Sequence, residues 1–233
     1  MKYWLHARRI NNPGGHSFKN IMPVSFKPYI ALWPVSWAAA FLIVFIWSAI
    51  EPKDYPTWVL EVAPAVIGFI VLLLTRKSFP LTTLCYLLIL LFSWILLIGG
   101  HYTYAEVPLF DSIREIFDQS RNNFDKLAHF IQGFVPAIIC REIIIRLNLV
   151  NGDYFRHFFT LCFCLALSAC YELLEWWVAL ISEDAAEAFL GTQGYVWDTQ
   201  SDMAWALFGA SCALLLLSRY HNKQIDQLQM QNS

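Results

Sequence analysis

The sequence predicts an all-α integral membrane protein, a polytopic bundle of about six transmembrane helices in a single domain. Three observations carry that prediction. Of 233 residues, 58% are hydrophobic and only 15% are charged, against roughly 45–50% apolar and about 25% charged in soluble domains. Ten Trp and eighteen Phe suit the aromatic belts of a membrane protein. Apolar runs close to the roughly twenty residues that a bilayer-crossing helix needs recur along the chain.

Taken in order, residues 1–29 carry Lys2, Arg8, Arg9, Lys19 and Lys27 without an acid and read as a basic, disordered lead. Met1 and Met22 both stand as starts. The run after the lead has no small-residue cleavage site, so it reads as an uncleaved first span. The six spans are placed at Ile30–Ile50, Trp58–Leu74, Leu81–Ile98, Asp125–Ile145, Phe158–Ile181 and Asp198–Ser218, so residues 30–218 form the transmembrane domain. Residues 219–233 read as a polar, frayed tail. The acids and arginines of residues 106–121 read as an amphipathic loop lying on the membrane surface.

Charge sets the expected orientation. Twelve of the sixteen Lys and Arg fall on the side of the N-terminus, among them Arg76, Lys77, Arg141, Arg146, Arg156 and Arg219. Lys53, Arg114, Arg121 and Lys126 fall on the other. The positive-inside rule then places both termini in the cytoplasm of a multi-pass inner (plasma) membrane protein. Acids separate the other way: all but Glu142, Asp153 and Asp226 gather at the outer face. Acids do little to set topology, so that excess points to chemistry at the outer, periplasmic face.

A net charge of −2 and the lack of a basic patch interleaved with aromatics exclude nucleic acid as a partner; the expected partners are membrane lipids and a small-molecule or lipid substrate. The six cysteines, Cys85, Cys140, Cys162, Cys164, Cys170 and Cys212, lie in or beside apolar runs without a zinc-type pair, and read as small packing residues.

The candidate site comes from polar groups at one depth. Asp125, His129 and Gln132 follow i, i+4, i+7 and share a helical face. Asp198 and Asp202 open the last span one turn apart. Glu172 and Glu175 sit three apart inside an apolar run, where two carboxylates repel unless their charge is compensated. His101 ends the third span. Carboxylates and imidazoles are general acid–base groups and ligands for zinc, manganese or iron. Asp125, His129, Glu172 and Glu175 are therefore the catalytic candidates. His101, Asp125, His129, Glu175, Asp198 and Asp202 are the candidate ligands of a divalent metal. Each also has a plainer reading: Asp125 and Asp198 as helix caps, His129 as a satisfied interior histidine, and the Tyr102/Tyr104 and Trp176/Trp177 pairs as interface aromatics.

Gly99-Gly-His-Tyr-Thr-Tyr104, Asp125-Lys-Leu-Ala-His-Phe130, Tyr171-Glu-Leu-Leu-Glu-Trp176 and Gly191-Thr-Gln-Gly-Tyr-Val-Trp-Asp198 through Asp202 resemble the YjdF-type bacterial inner membrane proteins over residues 30–218. That resemblance implies location and fold, and no reaction. The order of Asp125-Lys-x-x-His129, Glu175 and Asp202 is more distantly similar to VanZ-like membrane proteins, associated with glycopeptide resistance. It implies that Asp125, His129, Glu175 and Asp202 share one site. The chain departs from that pattern in having Ala206 where an Asn follows the aspartate by one turn, and in lacking the Arg before it.

Three functional readings follow. One is a membrane enzyme, hydrolytic or acting on a lipid or envelope precursor. Another is a proton- or ion-coupled transporter. The third is a structural or regulatory protein in which the cluster pins helix packing.

Overall fold

The computed structural model describes residues 33–181 and 195–230; the basic lead, the start of the first span, residues 182–194 (with the Gly191–Gly194 part of the motif noted above) and the last three residues lie outside them. The described residues form seven helices and no strand: α1 (Trp33–Ser48), α2 (Tyr55–Thr75), α3 (Thr83–His101), α4 (Pro108–Ile116), α5 (Phe124–Arg146), α6 (Asp153–Ile181) and α7 (Asp198–Met230). Five of them, α2, α3, α5, α6 and α7, are long and apolar enough to cross a bilayer, and α1 is a shorter apolar helix. The chain is thus a polytopic helical membrane protein. Its outward faces carry Ile43, Ile67, Leu74, Phe158 and Leu216, side chains that lipid solvates. Helices suit that setting because they satisfy their own backbone hydrogen bonds.

Neighbouring spans run antiparallel. One end of the bundle gathers the close of α1, α3 and α6 with the start of α2, α5 and α7; it holds most of the acids and is called the acidic end. The other, basic end holds Arg76, Lys77, Arg146 and Arg156. Local signals fix the helix starts. Asp54 caps α2 by accepting from the Thr57 amide at 2.8 Å, with Pro56 in the first turn, where its missing N–H costs nothing. Thr82 caps α3.

Two apolar cores support the bundle. In one, Trp37 and Phe41 of α1 stack with Phe69 of α2, and the Trp37 indole donates to the Tyr86 carbonyl at 2.7 Å. In the other, Cys85, Ala137, Ile138, Cys164, Ala210 and Ala213 meet where α3, α5, α6 and α7 converge. The closest packing is between α5 and α7. A Cβ on Gly133 would stand 1.7 Å from the Ala206 carbonyl oxygen, and one on Gly209 would stand 1.9 Å from that of Phe130. These two backbones touch directly, as small residues permit in membrane helix pairs.

Several boundaries differ from expectation. Helix α6 begins at Asp153, five residues earlier than the apolar run, because Arg156 pairs with Asp153 at 2.9 Å and anchors the first turn to the Val150 carbonyl. Helix α7 continues to Met230, so the described part of the expected frayed tail is helical. It is held by tertiary contacts: His221 and Ile225 are buried, and Gln224 accepts from the Leu84 amide at 2.9 Å, serving an unpaired donor at the start of α3. The expected outer loop contains the short amphipathic α4. Its return to α5 is pinned by buried Asn122, whose amide donates to the Val107 carbonyl and the Asp111 carboxylate at 3.1 Å.

Candidate site at the acidic end

Three helices converge on His129. Helix α5 contributes Asp125 from its first turn and His129 one turn later. The Gly133–Ala206 contact, one turn deeper, brings α7 in so closely that Asp202 arrives beside the ring. Helix α6 packs on the same pair through Cys164, whose thiol lies 3.6 Å from the Gly133 carbonyl, and two turns further on it presents Glu172. His129, Glu172 and Asp202 are all buried.

His129 Nε2 lies 3.3 Å from Asp125 Oδ1 and 4.0 Å from Asp202 Oδ2, while Nδ1 lies 3.9 Å from Glu172 Oε1. One ligand atom each from Asp125, His129 and Asp202 falls within 4.8 Å of the others. Three buried atoms of this group, His129 Nδ1, Glu172 Oε1 and Asp202 Oδ1, make no hydrogen bond among the described residues; neither does the hydroxyl of Ser168, one turn below Glu172. Buried polar atoms without partners are uncommon, and each asks for an explanation. Here they cluster.

Around this centre stands a charged and aromatic frame. Arg121, in the loop before α5, reaches Asp198 at 3.0 Å and Asp125 at 3.5 Å, tying the starts of α5 and α7, and lies over the Tyr195 ring. Asp198 is thus engaged by a guanidinium at the rim. Glu175, one turn beyond Glu172, is half-buried and within electrostatic reach of Glu172, Glu61 and His129.

Glu61 escaped the sequence reading. It is a lone acid in an apolar helix, buried, and its carboxylate accepts from the Tyr171 hydroxyl at 2.7 Å. The Tyr171 ring in turn meets the edge of His129. Tyr104 approaches the same carboxylate: Thr103 and Tyr104 adopt left-handed backbone conformations, folding the ring back over Gly99, where a Cβ would stand 2.5 Å from it. Burial, and then the charge of Glu61, push the Tyr104 phenol well above its ordinary range, so it remains a donor. Tyr104 is therefore an interior residue and not an interface aromatic; Trp176 and Trp177 do face outward. Tyr171→Phe should destabilise the protein by about 1–3 kcal/mol, the cost of leaving a buried acceptor short of its donor. A thermal melt of wild type and Tyr171→Phe in one detergent checks this.

His101, expected among the metal ligands, stands apart. Its Nδ1–H donates to the Ser48 carbonyl at 3.0 Å and its ring packs on Trp47. It shares the membrane level of the site but points to the other side of α3, where it satisfies the end of α1.

A second polar cluster lies at the basic end. Glu142, with no exposed surface, accepts from the Thr82 amide and hydroxyl, from the Cys85 thiol and from Arg146, and meets His221 Nε2 at 3.0 Å. Cys85, Glu142 and His221 approach closely enough to suggest a metal. Hydrogen-bond accounting argues otherwise. Arg141 can only donate, so His221 Nδ1, 3.1 Å away, accepts, and Nε2–H donates to Glu142. No imidazole lone pair remains. This cluster is a latch joining α3, α5 and α7, assembled from residues too far apart in sequence to be read together.

Residues 33–223 match the family of predicted membrane proteins described as DUF2238. The chain is also 46% identical over 188 residues, 81% of its length and 90% of the relative's, to the inner membrane protein YjdF of Escherichia coli strain K12. No solved structure matches it.

Proposed function

The chain belongs to the DUF2238 family of predicted membrane proteins, and from that premise we propose that its acidic end is a divalent-metal site acting hydrolytically on a lipid or envelope precursor. The carrying observation is that one ligand atom each of Asp125, His129 and Asp202 lies within 4.8 Å of the others, beside buried polar atoms of His129, Glu172 and Asp202 that have no hydrogen-bond partner among the described residues. Asp125, His129 through Nε2, and Asp202 hold the ion. Their ligand atoms lie within 4.8 Å of one another, so modest side-chain closure would bring all three onto one ion. Glu172 then receives the Nδ1–H of His129, the carboxylate–histidine–metal arrangement that fixes the ring and strengthens it as a ligand.

A divalent ion held there would supply Lewis-acid polarisation of a phosphoryl or acyl group and an activated water. Glu175 takes the water proton as the oxygen bonds to the substrate; the bond to the leaving oxygen breaks, and that oxygen receives the proton. Arg121 holds the rim closed through Asp125 and Asp198. Positive charge counted along the chain supports cytoplasmic termini, which puts the site at the periplasmic face of the inner membrane.

Elemental analysis of protein purified in lipid nanodiscs tests the reading. Wild type should carry a stoichiometric transition metal; His129→Ala and Asp202→Asn should carry little at unchanged yield. Glu172→Gln should weaken metal affinity about 10- to 100-fold, as loss of such outer partners does. Negligible metal in all four proteins, with cellular lipid profiles unaltered by Glu175→Gln, would sink the proposal. Falling yield in the variants would favour a cluster that merely pins the helices.

A further inference from the structure

Away from that site, α2 and α5 both pack on α3 and leave a groove between them. It encloses about 460 Å³ and is lined by Gly68, Thr75, Phe92, Ser93, Ile139 and Ile143, among other almost wholly apolar side chains. Proline stands inside both flanking helices, Pro64 in α2 and Pro136 in α5, and both prolines border the upper end of the groove. From Pro64 to Thr75 the groove runs along eleven residues of α2, about 16 Å at the helical rise. That is half of the roughly 30 Å hydrocarbon core of a bilayer. The groove therefore covers about the depth of one leaflet, from the basic end, called its mouth here, to near the midplane.

The mouth carries charge. Thr75 and Phe79 line it, and the turn between them presents exposed Arg76 and Lys77. Arg146, which stacks on Phe79, is already committed to Glu142 and the Pro80 carbonyl, whereas Arg76 and Lys77 make no ion pair among the described residues and face outward, where an external anion can reach them. An apolar slot one leaflet deep beneath two exposed cations has the chemistry of an amphiphile with an acyl chain and an anionic head.

We propose that this groove is a lipid site, holding one acyl chain of an anionic phospholipid whose phosphate pairs with Arg76 and Lys77. The site is separate from the acidic end, and it stands whether or not a metal binds there. Gly68 offers the means to test it. A Cβ at Gly68 meets nothing within 4 Å, so a large side chain there enters the groove without striking a neighbour at its root.

The experiment is native mass spectrometry of the full chain released from nanodiscs of equal phosphatidylglycerol and phosphatidylcholine. Wild type should retain phosphatidylglycerol in preference to phosphatidylcholine. Gly68→Trp, confirmed as folded by its melt, should lose retention of both lipids at least about tenfold, a change corresponding to 1.4 kcal/mol. Arg76→Gln/Lys77→Gln alters only exposed side chains; it should keep a bound lipid but lose the preference for phosphatidylglycerol. Wild type without that preference, or a double variant that keeps it, overturns the proposal. So does a folded Gly68→Trp that retains lipid as wild type does.

Discussion

Gly209→Ala, a single added methyl group, is expected to destabilise the protein by about 3 kcal/mol or more, the upper range for overpacking a close-packed interface. The new Cβ would sit 1.9 Å from the Phe130 carbonyl oxygen and 3.1 Å from the Phe134 amide nitrogen. Those are backbone atoms of α5, and no rotamer change can move them. The helices must separate, or α7 must slide. Gly133→Ala meets the Ala206 backbone in the same way and should behave alike. Gly68→Ala is the internal control: its Cβ enters open space, so the usual advantage of alanine over glycine in a helix, about 0.5–1 kcal/mol, should appear as a gain. Thermal melts of the three variants in one detergent give the comparison. Separation of α5 from α7 also moves Asp202 away from His129, so Gly209→Ala should lose whatever the acidic end binds while keeping every polar residue of the site. Equal melting temperatures for Gly209→Ala and Gly68→Ala would mean that the close contact between α5 and α7 is wrong.

Glu142→Leu should cost about 3–5 kcal/mol, the range for removing one partner of a buried ion pair. Its carboxylate collects donors from Thr82, Cys85, Arg146 and His221. Without it, an imidazole N–H loses its acceptor and a largely buried guanidinium keeps only the Pro80 carbonyl. The loss should be felt unevenly. The section of α7 beyond Arg219 is held by Glu142 through His221, by Arg141 through Asn222 and by the Leu84 amide through Gln224. Amide exchange of His221–Met230 should therefore accelerate in Glu142→Leu well before that of the span centres. Uniform exchange along α7 would show that the latch does not hold this extension. His221→Phe, which fills the space but removes the N–H, should show the same regional effect at smaller cost, since Arg146 and Thr82 continue to satisfy the carboxylate.

The two ends of the bundle differed in how far they could be read beforehand. Asp125 and His129, and Asp198 and Asp202, were visible as i, i+4 pairs at the head of apolar runs, because a helical face is set by spacing within one segment. Glu172 stood out because an acid deep in an apolar run demands a partner. The same logic applied to Glu61 and could have found it. His101 was grouped with the others on depth alone, and depth does not say which way a side chain points around the helix axis; in the fold it turns to the Ser48 carbonyl. By sequence Tyr104 reads as a belt residue, because its inward turn depends on Gly99 and on two left-handed residues, which composition does not reveal. The extension of α7 looked like a frayed tail because its sequence is polar, yet its polar groups are those that neighbouring helices use.

The amino-acid order by itself determined the solvent class of this protein, the number and approximate limits of its membrane helices, and the level at which its acids lie. Those follow from hydropathy and helical period, which are local properties of a segment in a bilayer. Only the tertiary structure decided which of those acids meet, that Glu61 and two tyrosines join them, and that a second, fully satisfied cluster locks the opposite end. The reason is rotational: each helix can turn about its axis without changing its depth. What stops the turning is contact between backbones at Gly133 and Gly209, made across more than seventy residues of intervening chain.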